Sequence, residues 1–482
     1  MPTAAFATLG CKVNQYETQR ILDDFEERGF TITEFNTAAD VYVVNTCSVT
    51  QAAERKSRQM VRKLARQNAD AIVVMTGCYG EMAKIKGEEV EEATLIVPNH
   101  LKLHTLKHLL DAHPALARDL DDRPKQPNAA PTHRRTRATI KVQDGCNVFC
   151  SFCSIPFTRK VMVSRPLGEI VLEAEKRADQ GYRELVVTGV LVGAYGTGGE
   201  MAEAPDLADC LLRLAKVPNI ERVRLSSIEP TQVTDRLLDA FATEPKLCRH
   251  LHIPLQSGDS GVLRRMNRPY DRDFYLDRCR LAHKMIPDLA ITSDIMVGFP
   301  GEDRPAFENT LDVVRQVGYA RAHIFRYSPR PNTPAADYSD QVSDQEKEAR
   351  SKELAGACRD TQQRFIERFV GRTLEVLVEG KSAQAPASDP DVSLSGNDHH
   401  ERVTPDEIAP EASGLLSGYT SNYIRVEFTG GSHLVGTVTR VRLVETSGAG
   451  AIGEVGGAHF GPLEAPPDAD FIPLAAFAGR LG

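Results

Sequence analysis

Three apolar runs near the start of the chain each end in a cysteine: AAFATLGC (Ala4–Cys11), DVYVVNTC (Asp40–Cys47) and AIVVMTGC (Ala71–Cys78). Helical apolar spacing follows the first two runs, in Gln15–Arg28 and Thr50–Gln67. This alternation predicts a βαβαβ unit with a parallel sheet. Ligands of such sheets lie beyond the carboxyl ends of the strands. We therefore expect the three cysteines to converge on one sheet edge, although consecutive ones are more than thirty positions apart in sequence.

A second set of three cysteines is local: Cys146, Cys150 and Cys153 form a C-x3-C-x2-C pattern in DGCNVFCSFC. Three thiolates are one short of a closed zinc site or of a fully ligated four-iron cluster. Each set can therefore hold a four-iron cluster in which one iron stays open to an outside ligand. On spacing alone, half of a zinc site is an alternative for this second set.

The composition is that of a globular protein with several domains. At 482 residues the chain suggests about three domains of roughly 150 residues each. No apolar run approaches the ~20 residues that span a bilayer, and MPTAAFATLGC has no secretory signal pattern. We expect a cytoplasmic protein with no membrane segment, in which cysteines stay reduced. The remaining cysteines are expected to have no special role: Cys210, Cys248, Cys279 and Cys358.

The charge is unevenly distributed. The net charge is −8, of which −7 lies from Lys381 onward and −1 before it. This balance argues against an indiscriminate nucleic-acid binder, because such proteins attract phosphate with excess positive charge. A local basic patch can still bind a phosphate backbone, since the field of a charge reaches roughly 10 Å at ordinary salt. His133, Arg134, Arg135 and Arg137 form one such run, with a solvated linker as the alternative.

A second β/α series follows the first. About six units fall short of the eight that close a barrel, so an open or partial barrel is predicted, with its active face at the carboxyl ends of the strands. Helical spacing marks Glu169–Gln180, Asp273–Met285 and Arg304–Val317. The predicted strands are Ala138–Gln143, Glu184–Thr188, Arg222–Ser227, His250–Leu255, Ala290–Val297 and Arg321–Tyr327.

From Gly371 the pattern changes to short β segments (LEVLVEG, YIRVEF, LVGTVTRVRLVE) without helices between them. A small antiparallel barrel fits this pattern. Tyr419, Tyr423 and Phe428 are expected in its core rather than as a platform for stacking bases.

The cysteine loop, placed after a strand at the start of a β/α series, resembles that of the radical S-adenosylmethionine enzymes. The wider set of motifs is similar to the methylthiotransferases, and most of all to those acting on N6-threonylcarbamoyladenosine in tRNA. This similarity runs from about residue 3 to 441. It rests on LGCKVNQYET, VNTCSVTQAAERKSRQ, TGCYGEM, IKVQDGCNVFCSFCSIPFTR, SRPLGEI, SSIEP, LHIPLQSGDSGVLRRMNRPY, SDIMVGFPGE, SPRPNTPA and GYTSNYIRV.

The resemblance implies a domain order. It comprises an N-terminal parallel α/β domain (1–117), a linker (118–137), a partial (β/α)6 radical-SAM barrel (138–368) and a small OB-like all-β barrel, the TRAM domain (371–445). A polar insertion at 381–413 interrupts the last domain, and residues 446–482 are expected to form a poorly ordered tail.

The resemblance also implies cofactors and ligands. It assigns one 4Fe-4S cluster to Cys146, Cys150 and Cys153, whose open iron binds S-adenosylmethionine and whose electron cleaves it to a 5′-deoxyadenosyl radical. It assigns a second 4Fe-4S cluster, the source of sulfur, to Cys11, Cys47 and Cys78, while a second S-adenosylmethionine supplies the methyl group. No acid/base pair is expected.

Four further residues are candidates for contacting the cofactor. Thr188 and Gly189 end a predicted strand, although a loop that needs glycine for a positive φ is an equal interpretation. Glu229 in SSIEP could hydrogen-bond the ribose or the amino-acid part of S-adenosylmethionine. The alternative is an ordinary exposed loop residue with no contact to the cofactor. Gln256 ends another predicted strand.

The implied activity is methylthiolation of C2 of N6-threonylcarbamoyladenosine at position 37 of tRNA. The implied partners are tRNA, a reductant of flavodoxin or ferredoxin type and a sulfur source. Methylthiotransferases for isopentenyladenosine tRNA or for a ribosomal protein are alternatives within the family. A non-catalytic metal-containing RNA-binding protein is the alternative from another class.

Overall fold

The computed structural model describes residues 2–48, 51–68, 70–121, 136–197, 205–381 and 413–456. These residues form a parallel α/β sheet, a partial barrel of parallel strands and a closed β-barrel, in that order along the chain. The predicted fold class is therefore confirmed.

The N-terminal domain alternates strands and helices. Its strands are β1 (Thr3–Thr8), β2 (Thr31–Thr33), β3 (Val41–Thr46), β4 (Ile72–Gly77) and β5 (Leu95–Ile96). Its helices are α1 (Lys12–Arg28), α2 (Gln51–Gln67), α3 (Cys78–Lys86), α4 (Thr105–Ala112) and α5 (Pro114–Asp121). The strands pair in parallel in the order β2-β1-β3-β4-β5.

The central strand β3 explains why this sheet forms. Every residue of VYVVNT is buried, and β-branched side chains suit a strand covered on both faces. Val43 packs with Ile21 and Phe25 of α1 on one face. Val44 packs with Leu64 of α2 on the other face.

The middle of the chain forms the partial barrel. Its strands are β6 (Arg137–Asp144), the short β7 (Val163–Ser164), β8 (Glu184–Gly189), β9 (Arg222–Leu225), β10 (His250–His252), β11 (Ala290–Val297) and β12 (Arg321–Arg326). Strand β7 is antiparallel to β6, and the others are parallel. Single parallel bridges, Val223 to Leu247 and Ser227 to His252, join β9 to the segment that holds β10. Among the described residues no pairing joins β6 to β12, so the barrel is open there.

Capping side chains stabilise the start of several helices of this barrel. They are α6 (Ile155–Thr158), α7 (Leu167–Asp179), α8 (Leu207–Ala215), α9 (Asp235–Thr243), α10 (Ser260–Arg265), α11 (Arg272–Met285), α12 (Arg304–Val317) and α13 (Asp344–Glu367). Asp206, Asp271 and Asp303 each accept a backbone N–H of the first helical turn, which stabilises a helix start.

The inner side of the partial barrel carries buried polar side chains among apolar ones. Leu185 and Val187 of β8 belong to the apolar core shared with the helices. Glu184, Val186 and Thr188 alternate with them and face the other way, and Glu184 forms a 2.7 Å ion pair with Arg224 of β9. A polar interior suits a binding chamber better than a packed core.

The C-terminal domain is a closed barrel. Its strands are β13 (Thr373–Lys381), β14 (Ser413–Thr420), β15 (Arg425–Gly431), β16 (Val438–Ser447) and β17 (Gly450–Val455), in the order β13-β14-β15-β17-β16. Phe428 lies in its core as expected. Tyr419 and Tyr423 instead lie against the partial barrel, where Tyr423 stacks on His250 with ring centroids 4.4 Å apart. Arg222 donates to the Tyr419 carbonyl at 3.0 Å, so this turn covers one end of the partial barrel.

The expected tail from residue 446 begins too early. Strand β16 continues to Ser447, and β17 closes the barrel. The glycines that suggested poor order have a steric role. A Cβ at Gly453 would lie 2.4 Å from Val441 Cγ1, and one at Gly450 would lie 2.5 Å from the Arg425 carbonyl oxygen. Only residues 457–482 of the expected tail lie outside the described residues.

Regular secondary structure extends into both ends of the expected linker (118–137) and of the expected insertion (381–413). Helix α5 extends to Asp121 and β6 starts at Arg137, so both ends of the expected linker belong to regular elements. Residues 122–135 of the linker lie outside the described residues, and they include His133, Arg134 and Arg135. Arg137 is not a surface cation, because it pairs with Glu379 of β13 at 2.7 Å. Residues 382–412 of the insertion also lie outside the description.

Candidate active site

The sheet set (Cys11, Cys47 and Cys78) lies at the carboxyl edge of the N-terminal sheet. Cys11 is the N-cap of α1, Cys47 follows β3 directly, and Cys78 is the first residue of α3. The strands stay in register to this edge, where Thr46 pairs with Gly77. Parallel pairing thus brings the three turns to the same side of the domain.

Two glycines let these turns pack closely. Gly10 has a φ of 100° and Gly77 a φ of 96°, both in the region that favours glycine. A Cβ at Gly10 would lie 2.6 Å from the Cys47 sulfur, and one at Gly77 would lie 2.4 Å from the Thr46 carbonyl oxygen. A larger residue at either position would displace the sheet set.

Asn14 ties two of the turns together. Its Nδ2 donates to the Leu9 carbonyl at 2.9 Å and to the Thr46 carbonyl at 3.0 Å. Asn45 Nδ2 in turn donates to the Asn14 carbonyl at 3.0 Å. Each of these turns carries a cysteine one or two residues further on, so the side chains of α1 and β3 fix the relative positions of Cys11 and Cys47.

The loop set (Cys146, Cys150 and Cys153) lies in the loop after β6. The Cys153 amide donates to the Cys150 carbonyl at 3.0 Å, and the Ile155 amide donates to the Cys153 sulfur at 3.4 Å. The loop turns at Gly145, where φ is 83° and a Cβ would lie 2.1 Å from the Val161 carbonyl oxygen. Contacts from outside the loop add to these, since the Ser151 amide donates to the Met266 carbonyl at 3.0 Å and Asn267 Nδ2 donates to the Phe149 carbonyl at 2.9 Å.

Arg268 connects the loop set to an acidic residue. Its Nη1 donates to the Cys150 sulfur at 3.0 Å, and its Nη2 forms an ion pair with Glu229. Burial raises the pKa of the Cys150 thiol, and the charge of Arg268 acts in the opposite direction. A cation here would stabilise a thiolate, the form of cysteine that binds metal.

A buried ion network lies between the two cysteine sets. Its acidic centre is Glu17 of α1, with only 1% of its side chain exposed. Glu17 binds Lys102 at 2.6 Å, Lys141 of β6 at 2.8 Å and Arg159 at 2.9 Å. Asp144 binds Lys141 and Arg159, both at 2.8 Å. Three cations thus face two carboxylates, which leaves one net positive charge.

That positive charge acts on the sheet set. Arg159 lies within electrostatic range of Cys11 and Cys78, and Lys102 within range of Cys78. Burial raises the pKa of Cys11, and Arg159 opposes the rise. Cys11 is the solvent-exposed member of the sheet set, whereas Cys47 and Cys78 are buried.

Two sequence families match the chain. Residues 3–97 match the family described as Uncharacterized protein family UPF0004, and residues 140–314 match the Radical SAM superfamily. A threonylcarbamoyladenosine tRNA methylthiotransferase, MtaB, from Bacillus subtilis is 34% identical, with 92% of this chain and 94% of the relative covered. One of the same name from Thermotoga maritima is 33% identical, with 94% and 96% covered.

The chain belongs to the methylthiotransferase family of radical SAM enzymes. Among solved structures, the radical S-adenosylmethionine methyltransferase TsrM from Kitasatospora setae is 15% identical, with 70% of this chain and 77% of that chain covered and a TM-score of 0.48. Within the described residues, no helix of this methylthiotransferase is long and apolar enough to cross a membrane.

The family implies S-adenosylmethionine and a 4Fe-4S cluster, and the donors of the loop set fit such a cluster. Its three cysteines are free thiols in one loop, with Arg268 beside them. In the described part of the chain, no group of three or more His, Cys, Asp or Glu side chains is placed to hold a single metal ion. A four-iron cluster makes a different demand, because each thiolate binds a different iron.

The four residues predicted to contact the cofactor have different surroundings from one another. Glu229 lies at the loop set through Arg268, so it is paired rather than an unengaged loop residue. Gly189 packs against Gln143, where a Cβ would lie 3.1 Å away, and its φ is not positive. Thr188 is buried and accepts from Ser226 Oγ at 3.2 Å. Gln256, with a φ of 62°, bridges to Ile295 of β11.

Several residues at the site were not predicted. Arg268 lies in MNRPY and Arg330 in SPRPNTPA, two of the motifs that carried the family resemblance. Their position inside these motifs is the signal that could have found both. The partners of Glu17 are 85, 124 and 142 residues away from it, so no local pattern in one sequence reveals that network.

Proposed function

We propose that this enzyme adds a methylthio group to C2 of N6-threonylcarbamoyladenosine at position 37 of tRNA. The substrate follows from the curated relatives, which are named for it and match over nearly the whole chain. The structural observation that supports the proposal is one arginine, Arg330, whose Nη1 donates to the carbonyl of Ser48, directly after Cys47, at 2.8 Å and to Ser154 Oγ, directly after Cys153, at 3.5 Å.

We assign one 4Fe-4S cluster to each cysteine set. Cys146, Cys150 and Cys153 would hold the cluster that binds S-adenosylmethionine, and Cys11, Cys47 and Cys78 would hold the second. When bound, these groups would supply an electron, a radical that abstracts hydrogen from carbon, a sulfur atom and a methyl group. The protein itself supplies positions, charge and exclusion of water.

The charges of the chain support two anionic groups at these places. A 4Fe-4S cluster in its usual oxidised state with three thiolates carries one net negative charge. The Glu17 network carries one net positive charge beside the sheet set, and beside the loop set Arg268, which is also paired with Glu229, donates to the Cys150 sulfur. A buried charge needs a partner of opposite sign, since isolated burial is costly.

Four residues are proposed to contact S-adenosylmethionine. Glu229 is the best placed, because it already lies beside the loop set through Arg268. Thr188, Gly189 and Gln256 follow or end strands at the carboxyl side of the partial barrel, where cofactors of β/α barrels bind.

The reaction also needs partners. We propose a reductant of flavodoxin or ferredoxin type, since the chemistry consumes electrons, and an external sulfur source, since each product carries one sulfur away. A tRNA substrate would place the enzyme in the cytoplasm.

The proposal is tested with tRNA nucleosides from cells that lack the gene. Mass spectrometry should show that the methylthio derivative of N6-threonylcarbamoyladenosine disappears and returns with the wild-type gene. A Cys150→Ala gene should not restore it, whereas Cys358→Ala, which changes a buried cysteine outside both sets, should. An unchanged level of this nucleoside, or loss of the isopentenyladenosine derivative instead, would overturn the substrate assignment.

A further inference from the structure

Arg330 lies at the junction of the two cysteine sets. It is in the loop after β12, the last strand of the partial barrel. Its Nη1 donates to the carbonyl of Ser48 at 2.8 Å and to Ser154 Oγ at 3.5 Å. Ser48 directly follows Cys47, and Ser154 directly follows Cys153. One guanidinium therefore contacts the chain immediately beyond one cysteine of each set.

The loop that carries Arg330 is itself fixed. Thr333 Oγ1 and the Thr333 amide both donate to the Arg330 carbonyl, at 2.8 and 3.2 Å. The Ala335 amide donates to the Ser151 carbonyl at 2.9 Å, inside the loop set. The backbone that presents Arg330 is thus attached to the cysteine loop of the barrel, and its side chain reaches across to the N-terminal domain.

The charge of Arg330 acts on both sets. Cys153 and Cys47 are both within its electrostatic range, as is Glu54 of α2. The other cations of the site act on one set each: Arg268 on Cys146 and Cys150, and Arg159 on Cys11 and Cys78. Arg330 differs from them because its guanidinium contacts the residue directly after one cysteine of each set.

We propose that Arg330 is a positioning residue that fixes the separation of the two cysteine sets and provides one positive charge shared by both clusters. This inference rests on the proposed function, because it requires a cluster on each set. A cation stabilises the more negative, reduced state of a nearby cluster. Loss of the charge should therefore make both clusters harder to reduce.

The first experiment measures the reduction of each cluster separately in the full chain reconstituted with iron and sulfide. A Cys47→Ala background leaves only the loop-set cluster, and a Cys150→Ala background leaves only the sheet-set cluster. Redox titration followed by electron paramagnetic resonance should show that Arg330→Met weakens reduction of both clusters about tenfold, or about 59 mV for a one-electron couple. Arg330→Lys keeps the charge and should shift both by less.

Two control arginines make the result specific. Arg268→Met should shift the loop-set cluster and leave the sheet-set cluster unchanged. Arg264→Met removes an exposed arginine of α10 and should shift neither. A shift of only one cluster in Arg330→Met, or of neither, would overturn the proposal. An iron count of about four rather than eight in the wild-type chain would instead refute the second cluster, before any arginine variant is made.

The second experiment needs no cluster. Hydrogen exchange of the metal-free protein should be faster in Arg330→Lys than in wild type in the segments around both Ser48 and Ser154, because lysine cannot donate to both in the same geometry. Arg330→Met that folds by circular dichroism should exchange faster in the same two segments, because it keeps neither hydrogen bond. Faster exchange around only one of the two serines, or unchanged exchange in Arg330→Lys, contradicts the positioning role.

Discussion

The two cysteine sets reach similar chemistry by different routes. The loop set comes from eight consecutive residues, Cys146 to Cys153, in one loop. The sheet set comes from three turns that only a folded sheet and the side chain of Asn14 bring together. The first set is therefore close together in sequence and tertiary contacts only anchor its loop, whereas the second set is assembled only by the tertiary structure of its domain. Perturbing the fold should affect the two sets unequally.

The sharpest test separates the sets by the partial reaction that survives. Cys150→Ala should abolish both methylthiolated tRNA and release of 5′-deoxyadenosine from S-adenosylmethionine. Cys47→Ala should abolish the methylthiolated product but retain release of 5′-deoxyadenosine, because the loop set is intact. Chromatography of the reduced, reconstituted proteins measures both products. Cys358→Ala should behave as wild type, and loss of 5′-deoxyadenosine in Cys47→Ala would contradict the division of roles.

The next largest effect is expected at Glu17, the centre of the buried ion network. Glu17→Gln leaves Lys102, Lys141 and Arg159 buried with one carboxylate between them. Breaking a buried ion pair on one side costs about 3–5 kcal/mol. Urea unfolding of the metal-free protein should show a loss of this size.

Glu27→Gln is the matched control for Glu17→Gln. Glu27 lies on the same helix, and its ion pair with Lys176 is more than half exposed on both sides. Exposed pairs contribute about 0–1 kcal/mol, so this variant should unfold close to wild type. Equal effects of the two substitutions would show that the network contributes nothing beyond a surface pair.

Much of the fold could be predicted from sequence because its long elements carry their own pattern. Strand β11 and helix α12 have the predicted bounds, Ala290–Val297 and Arg304–Val317. An apolar run marks the strand, and apolar residues at helical spacing after an N-cap aspartate mark the helix. The two-residue strands β5 and β7 carry no such pattern. Strand β17 was missed because its glycines read as flexibility, whereas they are required by close packing.

The candidate site was predicted unevenly for a similar reason. Cysteines are visible as residues, and strand order explains how distant ones meet. The charged residues around them depend on contacts between domains, such as Arg330 with Ser48, which are 282 residues apart. A single sequence contains no local signal for such a pair, and only the folded structure shows it.

Smaller effects are expected from glycines that serve one set each. Gly10→Ala places a Cβ against the Cys47 sulfur, and Gly145→Ala places one against the Val161 carbonyl. A non-glycine residue at positive φ costs about 1–2 kcal/mol before any clash. Iron analysis should show that Gly10→Ala loses iron from the sheet set and Gly145→Ala from the loop set.

Gly87→Ala is the control that separates backbone strain at positive φ from steric contact of the added Cβ. Gly87 has a φ of 66°, and an added Cβ would meet nothing within 4 Å. It should therefore cost stability without loss of iron. Iron loss in Gly87→Ala equal to that in Gly10→Ala would show that backbone strain, rather than contact with Cys47, disturbs the sheet set.

The smallest effect concerns pH. Burial alone would raise the pKa of Glu17, but Lys102, Arg159 and Lys141 outweigh it and hold that pKa well below its ordinary value of 4.5. Below pH 4.5 the unfolded chain then binds a proton at Glu17 that the folded chain does not. The stabilisation is thus complete above pH 4.5 and is lost as the pH falls through the folded pKa, by up to about 1.4 kcal/mol per pH unit. Urea unfolding of the metal-free protein between pH 3 and 6 should show a shallower slope in Glu17→Gln than in wild type. Equal slopes would mean that Glu17 does not govern the acid sensitivity of the junction between the two sets.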